Sequence, residues 1–211
     1  MIKTIALIKR LPTLDRETFR THYETRHSPL ALPLMEGLER YVRYHVERDL
    51  HGEVGFDVVT AFWYRDQPSI DRIFERLQGD EGAEIRADEL RFMDKKANRF
   101  FAVSERLLES GEEGDEHVFV ILNRPDGMSR FECSKRIVRD HWPGLQAALP
   151  GPGFALLRDA FGIAGAEPAC DAVLQVQAIG ETAIGGWART LEAEGYRIRA
   201  VRTRRFETPL G

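Results

Sequence analysis

Residues 109–116 read Glu-Ser-Gly-Glu-Glu-Gly-Asp-Glu. Five of these eight positions are acids, none is a base, and none can be buried as part of an apolar face. Such a segment reads as a solvated connection. It also accounts for the charge of the chain. Residues 1–108 carry 18 Lys/Arg against 19 Asp/Glu, and residues 117–211 carry 12 against 10, so the overall −4 sits almost wholly in the connection. The flanking pieces are near neutral and similar in size. The expected organisation is a first unit over 1–108, an acidic linker over 109–116 and a second unit over 117–211.

Two units of similar size invite a search for an internal repeat. Setting residues 3–70 against the chain 114 positions further on gives nine identities in 68 without a gap. They are Arg10/Arg124, Arg16/Arg130, His27/His141, Pro29/Pro143, Gly37/Gly151, Glu53/Glu167, Asp57/Asp171, Val59/Val173 and Ile70/Ile184. His-x-Pro falls on His-x-Pro, and an Asp precedes an apolar run in both copies. A duplicated unit is expected.

Within the first copy, Ile2–Lys9 is rich in β-branched residues and reads as a strand. Asp15 can cap a helix from Arg16, in which Phe19, Tyr23 and His27 recur on one face. Pro29 and Pro33 are expected to end it. Leu38–Val46 and Phe56–Tyr64 read as the second and third strands, and Pro68 opens a second helical segment that resumes over Ala83–Leu90. Phe100–Val103 reads as the fourth strand. The second copy repeats the order with Val118–Leu122, Arg130–His141, Phe154–Ala160, Ala172–Ala178, Thr182–Glu194 and Ile198–Phe206. The order β-α-β-β-α-β is that of the ferredoxin-like split unit. Two helices cover one sheet face, so the other apolar face must be buried too. The expected fold class is α+β, with two ferredoxin-like βαββαβ repeats forming a pseudo-dimeric α+β barrel.

The first copy resembles the EthD family of the dimeric α+β barrel superfamily. The resemblance is carried by Ile8-Lys9-Arg10, Phe19-Arg20, His27-Ser28-Pro29-Leu30-Ala31, Arg40-Tyr41-Val42 with His45-Val46, Asp57, Trp63, Asp88-Glu89 with Phe92 and Asp94, and Arg99-Phe100-Phe101. It covers nearly all of residues 3–108. The second copy keeps the outline and His141-Trp142-Pro143. The resemblance implies a pocket between helices and sheet for a flat, apolar, often aromatic ligand. Relatives in the superfamily include cofactor-free monooxygenases, lactone isomerases, dehydratases and haem-degrading proteins, so it implies fold more firmly than reaction. His27 and His45 match positions that the family usually holds as histidine. Ala61 stands where the family often has a Glu, which removes that carboxylate from any role here.

The residues themselves point to the same place. Tyr23 and His27 lie four apart on a helix, and Tyr41 and His45 four apart on a strand, so each pair shares a face. If the two faces meet, four proton-handling groups converge. Trp63, Phe19 and Phe62 are the candidate apolar walls. Histidines near neutral pKa move protons, and tyrosines donate to developing oxyanions. The set suits proton abstraction beside a carbonyl or phenol, isomerisation, dehydration, or cofactor-free oxidation of a quinol-like compound. In the second copy Ile137, Ala155 and Asp159 replace Tyr23, Tyr41 and His45, leaving His141 and Asp159 as its candidates. A non-catalytic binding module and a purely structural barrel are the competing readings. The first predicts an unchanged ligand, the second a space filled by side chains.

Other classes are set aside. A near-neutral body lacks the footprint of a nucleic-acid binder, and the arginines at 197, 199, 202, 204 and 205 read as the wet face of a strand. No apolar run approaches the roughly 20 residues of a membrane span, and no long apolar leader segment opens the chain. Cys133 and Cys170 suit two reduced, buried thiols in a cytoplasmic protein. No zinc, nucleotide or phosphate motif occurs, so no metal and no cofactor are expected; haem on His27 is a minor alternative. The expected partner is a small hydrophobic or aromatic molecule, with neither nucleic acid nor membrane, and two chains can still pair as a homodimer.

Overall fold

The structure is a computed structural model and describes residues 1–149, 151, 153–177 and 179–210. Its contacts divide the chain into two compact units. Unit 1 comprises Met1–His45, Gly55–Phe100 and Phe206–Gly211, and unit 2 comprises Val46–Val54 and Phe101–Arg205. Neither unit is a single stretch of chain. Both combine α-helices with an antiparallel sheet, the α+β class expected from the sequence.

Unit 1 contains β1 (Ile2–Ile8), α1 (Arg16–His22), α2 (Ser28–Ala31), the start of β2 (Leu38–His51), β3 (Val58–Tyr64), α3 (Gln67–Gln78) and α4 (Ala83–Phe92). β3 lies centrally, with Ala61 opposite Ile5 of β1 and Val42 of β2. Every residue of β3 is buried, so both sheet faces are covered. On the helix side Ala6, Ile8, Tyr41, Val58, Phe62 and Tyr64 pack with Phe19, Tyr23, Ile73 and Phe92 in one cluster. Truncating a buried phenylalanine such as Phe19 to Ala costs about 3–5 kcal/mol in such a setting. Asp15 caps α1 by accepting from the Thr18 amide at 2.7 Å, and Asp66 caps α3 through the Ser69 amide at 2.9 Å. Gly37 turns the chain into β2 with a φ of +91°, and a Cβ there would sit 2.5 Å from the Ser69 hydroxyl. Only glycine meets both demands.

The first helix departs from expectation. Pro29 does not end it. Tyr23–His27 forms a π-helical turn between α1 and α2, in which the Ser28 amide bonds the Tyr23 carbonyl five residues back. A proline lacks an amide hydrogen and clashes with the carbonyl four residues before it, and a widened turn relieves both problems. Unit 2 has the same turn at Ile137–His141, ahead of Pro143, between α5 (Arg130–Arg136) and α6 (Trp142–Gln146).

Unit 2 orders its strands β8-β5-β7-β6-β4, all antiparallel. They are β4 (Arg99–Ser110), β5 (Glu116–Asn123), β6 (Phe154–Phe161), β7 (Ala172–Gln177) and β8 (Arg197–Glu207), with α7 (Glu181–Ala193) between the last two. The strand expected over Phe100–Val103 is thus three times longer, and from Phe101 it belongs to unit 2. β2 likewise runs past the expected Val46 to His51. Ala178, expected to end a strand, lies outside the described residues. The core joins Val120, Leu122, Leu157, Leu174 and Val176 of the sheet to Ile137, Trp142, Ile184, Trp187 and Leu191 of the helices.

One polar device recurs 114 residues apart. Asp57 accepts from the Arg10 amide at 3.1 Å and from Arg16 Nε at 3.2 Å. Asp171 accepts from the Arg124 amide at 2.9 Å and from Arg130 Nε at 3.1 Å. Four of the identical pairs in the sequence, once the strand residues are set aside, are these clamps and the helix-end histidines. The acidic connection is also explained. Glu116 lies 3.5 Å from Arg202 and Glu113 lies 3.9 Å from Arg205, so the acidic run faces the arginine run of β8. Exposed pairs of this kind contribute little stability, but they cancel the two charge excesses.

Cys133 and Cys170 are free and buried, and burial pushes both thiols up to about 12. Among the described residues no helix is long and apolar enough to cross a membrane.

Candidate functional site

β2 alternates, so Tyr41, Arg43 and His45 all face the helices of unit 1. The π turn carries Tyr23, Glu24 and His27 toward the same space. The Tyr23 ring sits between two imidazoles, 5.2 Å from His27 and 5.5 Å from His45 between centroids, edge-on to both. The Tyr41 hydroxyl donates to that of Tyr23 at 3.4 Å, and Tyr23 reaches Thr60 Oγ1 at 3.2 Å. Ser28 Oγ lies 3.4 Å from the Tyr41 hydroxyl. The four residues expected to converge do converge, each at most 6% exposed.

Each imidazole has one nitrogen held by a carboxylate. His45 Nε2 lies 2.7 Å from Glu24 Oε1, and His27 Nδ1 lies 3.3 Å from Asp88 Oδ2. His45 Nδ1 is buried without a hydrogen-bond partner among the described residues. Glu24 also receives two hydrogen bonds from Arg43, whose guanidinium lies over the Tyr41 ring at 4.4 Å. Asp88 is fully buried and also binds Arg26 Nε at 2.8 Å and His22 Nε2 at 3.0 Å.

Burial lowers the pKa of both histidines. Glu89 and Asp88 oppose the shift at His27, and the hydrogen bond and charge of Glu24 oppose it at His45. Burial alone would raise Glu24 and Asp88; hydrogen bonds from His45 and Arg43, and from Arg26 and His22, outweigh it and leave both carboxyls lowered. Burial raises Tyr23, and burial with the neighbouring Tyr23 raises Tyr41 well above an ordinary tyrosine. At neutral pH the set therefore holds neutral imidazoles, ionised carboxylates and protonated phenols.

Of the expected walls, Phe62 stacks on Tyr41 at 5.2 Å and Phe19 meets Tyr23 edge-on at 5.8 Å. Phe92 and Phe206 add rings 5.0 Å from His27 and 5.3 Å from His45. Trp63 does not join them. It follows Phe62 in β3 and so points to the other sheet face, where Arg40 covers its ring at 4.8 Å. His141 and Asp159 are not a pair. His141 meets Tyr196 and Glu194, while Asp159 lies 3.9 Å from Arg106. His117, near the start of β5, is buried, with its Nδ1 3.1 Å from Gln175 Nε2.

Sequence reasoning missed Glu24, Arg43, Asp88 and Thr60. The strand period gave a signal for Arg43, which lies between Tyr41 and His45. None existed for Glu24, because on a regular helix it would diverge from its neighbour Tyr23 by about 100°. Among the described residues no group of three or more His, Cys, Asp or Glu side chains is arranged to hold a metal ion.

A comparison with curated proteins finds no match. Among solved structures, an anthrone oxidase-like protein is 12% identical with a TM-score of 0.62, covering 98% of this chain and 93% of its own. Chlorite dismutase from Candidatus Nitrospira defluvii, in complex with imidazole, is 10% identical with a TM-score of 0.54, covering 99% and 91%. An EthD family protein from Bacillus halodurans C-125 is 23% identical with a TM-score of 0.37, covering 54% and 100%. For the first two, at these identities, the likeness is one of fold. The EthD domain model matches residues 11–96, the stretch that holds Tyr23, His27, Tyr41, His45 and both supporting carboxylates. The matched stretch is 86 of the 211 residues.

Proposed function

We propose that the chain is an enzyme for a small apolar or aromatic compound, working by His/Tyr acid–base or cofactor-free oxidoreductase chemistry in unit 1. One observation carries this reading: two imidazoles, each with one nitrogen held by a carboxylate, flank a hydrogen-bonded pair of phenols. Glu24 keeps a proton on His45 Nε2 and leaves the buried Nδ1 as a bare base. Such a base removes a proton next to a carbonyl or phenol, and Tyr23 and Tyr41 donate to the oxyanion that forms. Phe19, Phe62 and Phe92 favour a flat ring. Pairing of the two units as ferredoxin-like repeats of one pseudo-dimeric barrel is part of the proposal, supported by the recurring clamps and π turns.

Oxidation is the preferred branch, because the neighbours in fold include proteins described as anthrone oxidase-like and as chlorite dismutase. The deprotonated substrate would itself reduce oxygen. For an anthrone, the ring CH2 loses both hydrogens and four electrons; one oxygen atom becomes the new carbonyl and the other leaves as water. The test is oxygen uptake with anthrone. His27→Ala and His45→Ala are expected to lower kcat/KM by about 100-fold or more while the fold is kept. A fully active His27→Ala protein would sink the proposal. The near-complete burial of the four side chains favours one rival, a filled and purely structural space, for which no ring compound would bind unit 1.

A further inference from the structure

A row of polar side chains crosses the sheet of unit 2 and does not depend on the chemistry proposed for unit 1. Val118, Leu157 and Leu174 pack into the helix-side core. By strand alternation their neighbours His117, Arg158 and Gln175 point to the opposite face, where each is at most 1% exposed. Glu105 accepts from Arg158 Nε at 2.9 Å, and Arg158 Nη1 donates to Gln175 Oε1 at 2.7 Å. Gln175 Nε2 lies 3.1 Å from His117 Nδ1, and His117 Nε2 lies 2.8 Å from the Gly114 carbonyl oxygen. The two ends of the row fix the protons between them. A guanidinium only donates, so Gln175 presents its oxygen to Arg158 and its N–H2 to His117. A carbonyl only accepts, so the imidazole proton sits on Nε2, and Nδ1 is the acceptor.

The row ends on the acidic connection, which lies against unit 2 as a strap. The Gly111 amide bonds the Gly153 carbonyl at 2.9 Å, the Arg205 amide bonds the Asp115 carbonyl at 2.7 Å, and Glu113 lies 3.9 Å from Arg205. Gly114 runs so close to the sheet that a Cβ there would sit 2.2 Å from Gln177 Nε2. Between these pins His117 holds the strap by its Gly114 carbonyl. A second proton on His117 disrupts this arrangement. It sets Nδ1–H against the Gln175 N–H2, and Gln175 cannot turn over while Arg158 holds its oxygen. The charged groups facing the ring are Glu113 of the strap, Arg158 of β6 and Arg205 of β8, while Phe119 and Phe154 stand edge-on at 6.5 and 6.0 Å. Two guanidinium groups thus oppose a charged imidazole and one carboxylate favours it. Burial lowers the pKa of His117 and both arginines add to the shift, against the Gly114 carbonyl and Glu113. We propose that His117 is a pH-sensitive latch for the strap over residues 111–115: neutral, it pins Gly114 to the sheet, and protonated, it breaks from Gln175 and lets the strap lift away.

Amide hydrogen exchange followed by NMR on the full chain tests the latch. The Gly111 and Arg205 amides report opening of the strap, and the amides of β5, paired on both sides by β7 and β8, report the sheet beneath it. The latched imidazole takes its second proton below the ordinary 6.5, and the released one near it. The latch is therefore complete above about pH 6.5 and is lost as pH falls toward the latched value. Protection at Gly111 and Arg205 is expected to drop by about tenfold from about pH 7.5 to about pH 5.5, beyond any change in β5. Imidazole ¹⁵N shifts should show His117 protonated on Nε2 and titrating below about 6.5. Gln175→Glu should reverse the response. Its carboxylate accepts from Arg158 and from a protonated His117 Nδ1 together, so the strap stays held and its protection is kept or rises over the same range. Three results each overturn the latch: a His117 that titrates above about 6.5, parent strap protection that does not fall relative to β5, and a Gln175→Glu strap that opens with acid as the parent's does. The first two need no variant.

Discussion

Glu24 is the residue on which the candidate site turns, and Glu24→Gln isolates its role. The carboxylate receives Nε of Arg43 at 3.0 Å, a second bond from Nη2, and Nε2 of His45 at 2.7 Å. Arg43 has a side chain only 3% exposed, against 16% for Glu24. The substitution keeps the shape, removes the charge, and turns an amide N–H2 toward groups that are themselves donors. Breaking a buried pair from one side costs about 3–5 kcal/mol, because the remaining charge is left uncompensated. The partial exposure of Glu24 places the loss near the lower figure. For a chain of this size, about 3 kcal/mol lowers Tm by about 6–12 °C. Thermal melts followed by circular dichroism measure this directly. The cause is checked by Glu24→Gln/Arg43→Met, where the stranded cation is gone. The double variant should be at least about 1 kcal/mol more stable than the sum of the single losses implies. Imidazole ¹⁵N shifts of His45 should report an Nε2-protonated ring in the parent protein. Losses that simply add, or a Glu24→Gln protein melting with the parent, would refute the electrostatic account.

Two further outcomes follow from other parts of the molecule. Asp57→Asn should destabilise more than Asp171→Asn, by about 1–2 kcal/mol in urea titrations, since Asp57 is 1% exposed with a third cation, Lys9, while Asp171 is 8% exposed; equal losses would show that burial does not set the difference. Acid should also weaken the fold. His27 and His45 have lowered pKa values, so the unfolded chain protonates first; their contribution is complete above about pH 6.5 and is lost as pH falls toward the folded values. Glu24 and Asp88 act in the same direction further down, where the unfolded carboxyls begin to protonate. The urea midpoint should fall from neutral pH downward, less steeply in His45→Gln. A midpoint that rises on acidification contradicts this.

Much of this was written in the sequence. Strand alternation put Tyr41 and His45 on one face, and Arg, His-x-Pro and Asp recur 114 residues on at the positions that the structure shows as clamps and π turns. The near-neutral flanks of residues 109–116 suggested a connection between two pieces, whereas the compact units divide elsewhere and hold 109–116 within unit 2. These signals depend on neighbours within a few residues, or on one segment copied as a whole, so a linear reading reaches them.

The remainder needed the third dimension. Alternation says that only one of Phe62 and Trp63 can face the helices, and the pairing of Phe62 with Tyr41 decides which. Glu24 joins the site through Arg43 and His45 of β2, contacts between a helix and a strand that no periodicity within either element anticipates. Asp88 reaches His27 from 61 residues away. Local propensity fixes which side of its own element a residue occupies. Register, helical phase and the packing of distant helices fix what it meets there, and those are properties of the folded chain.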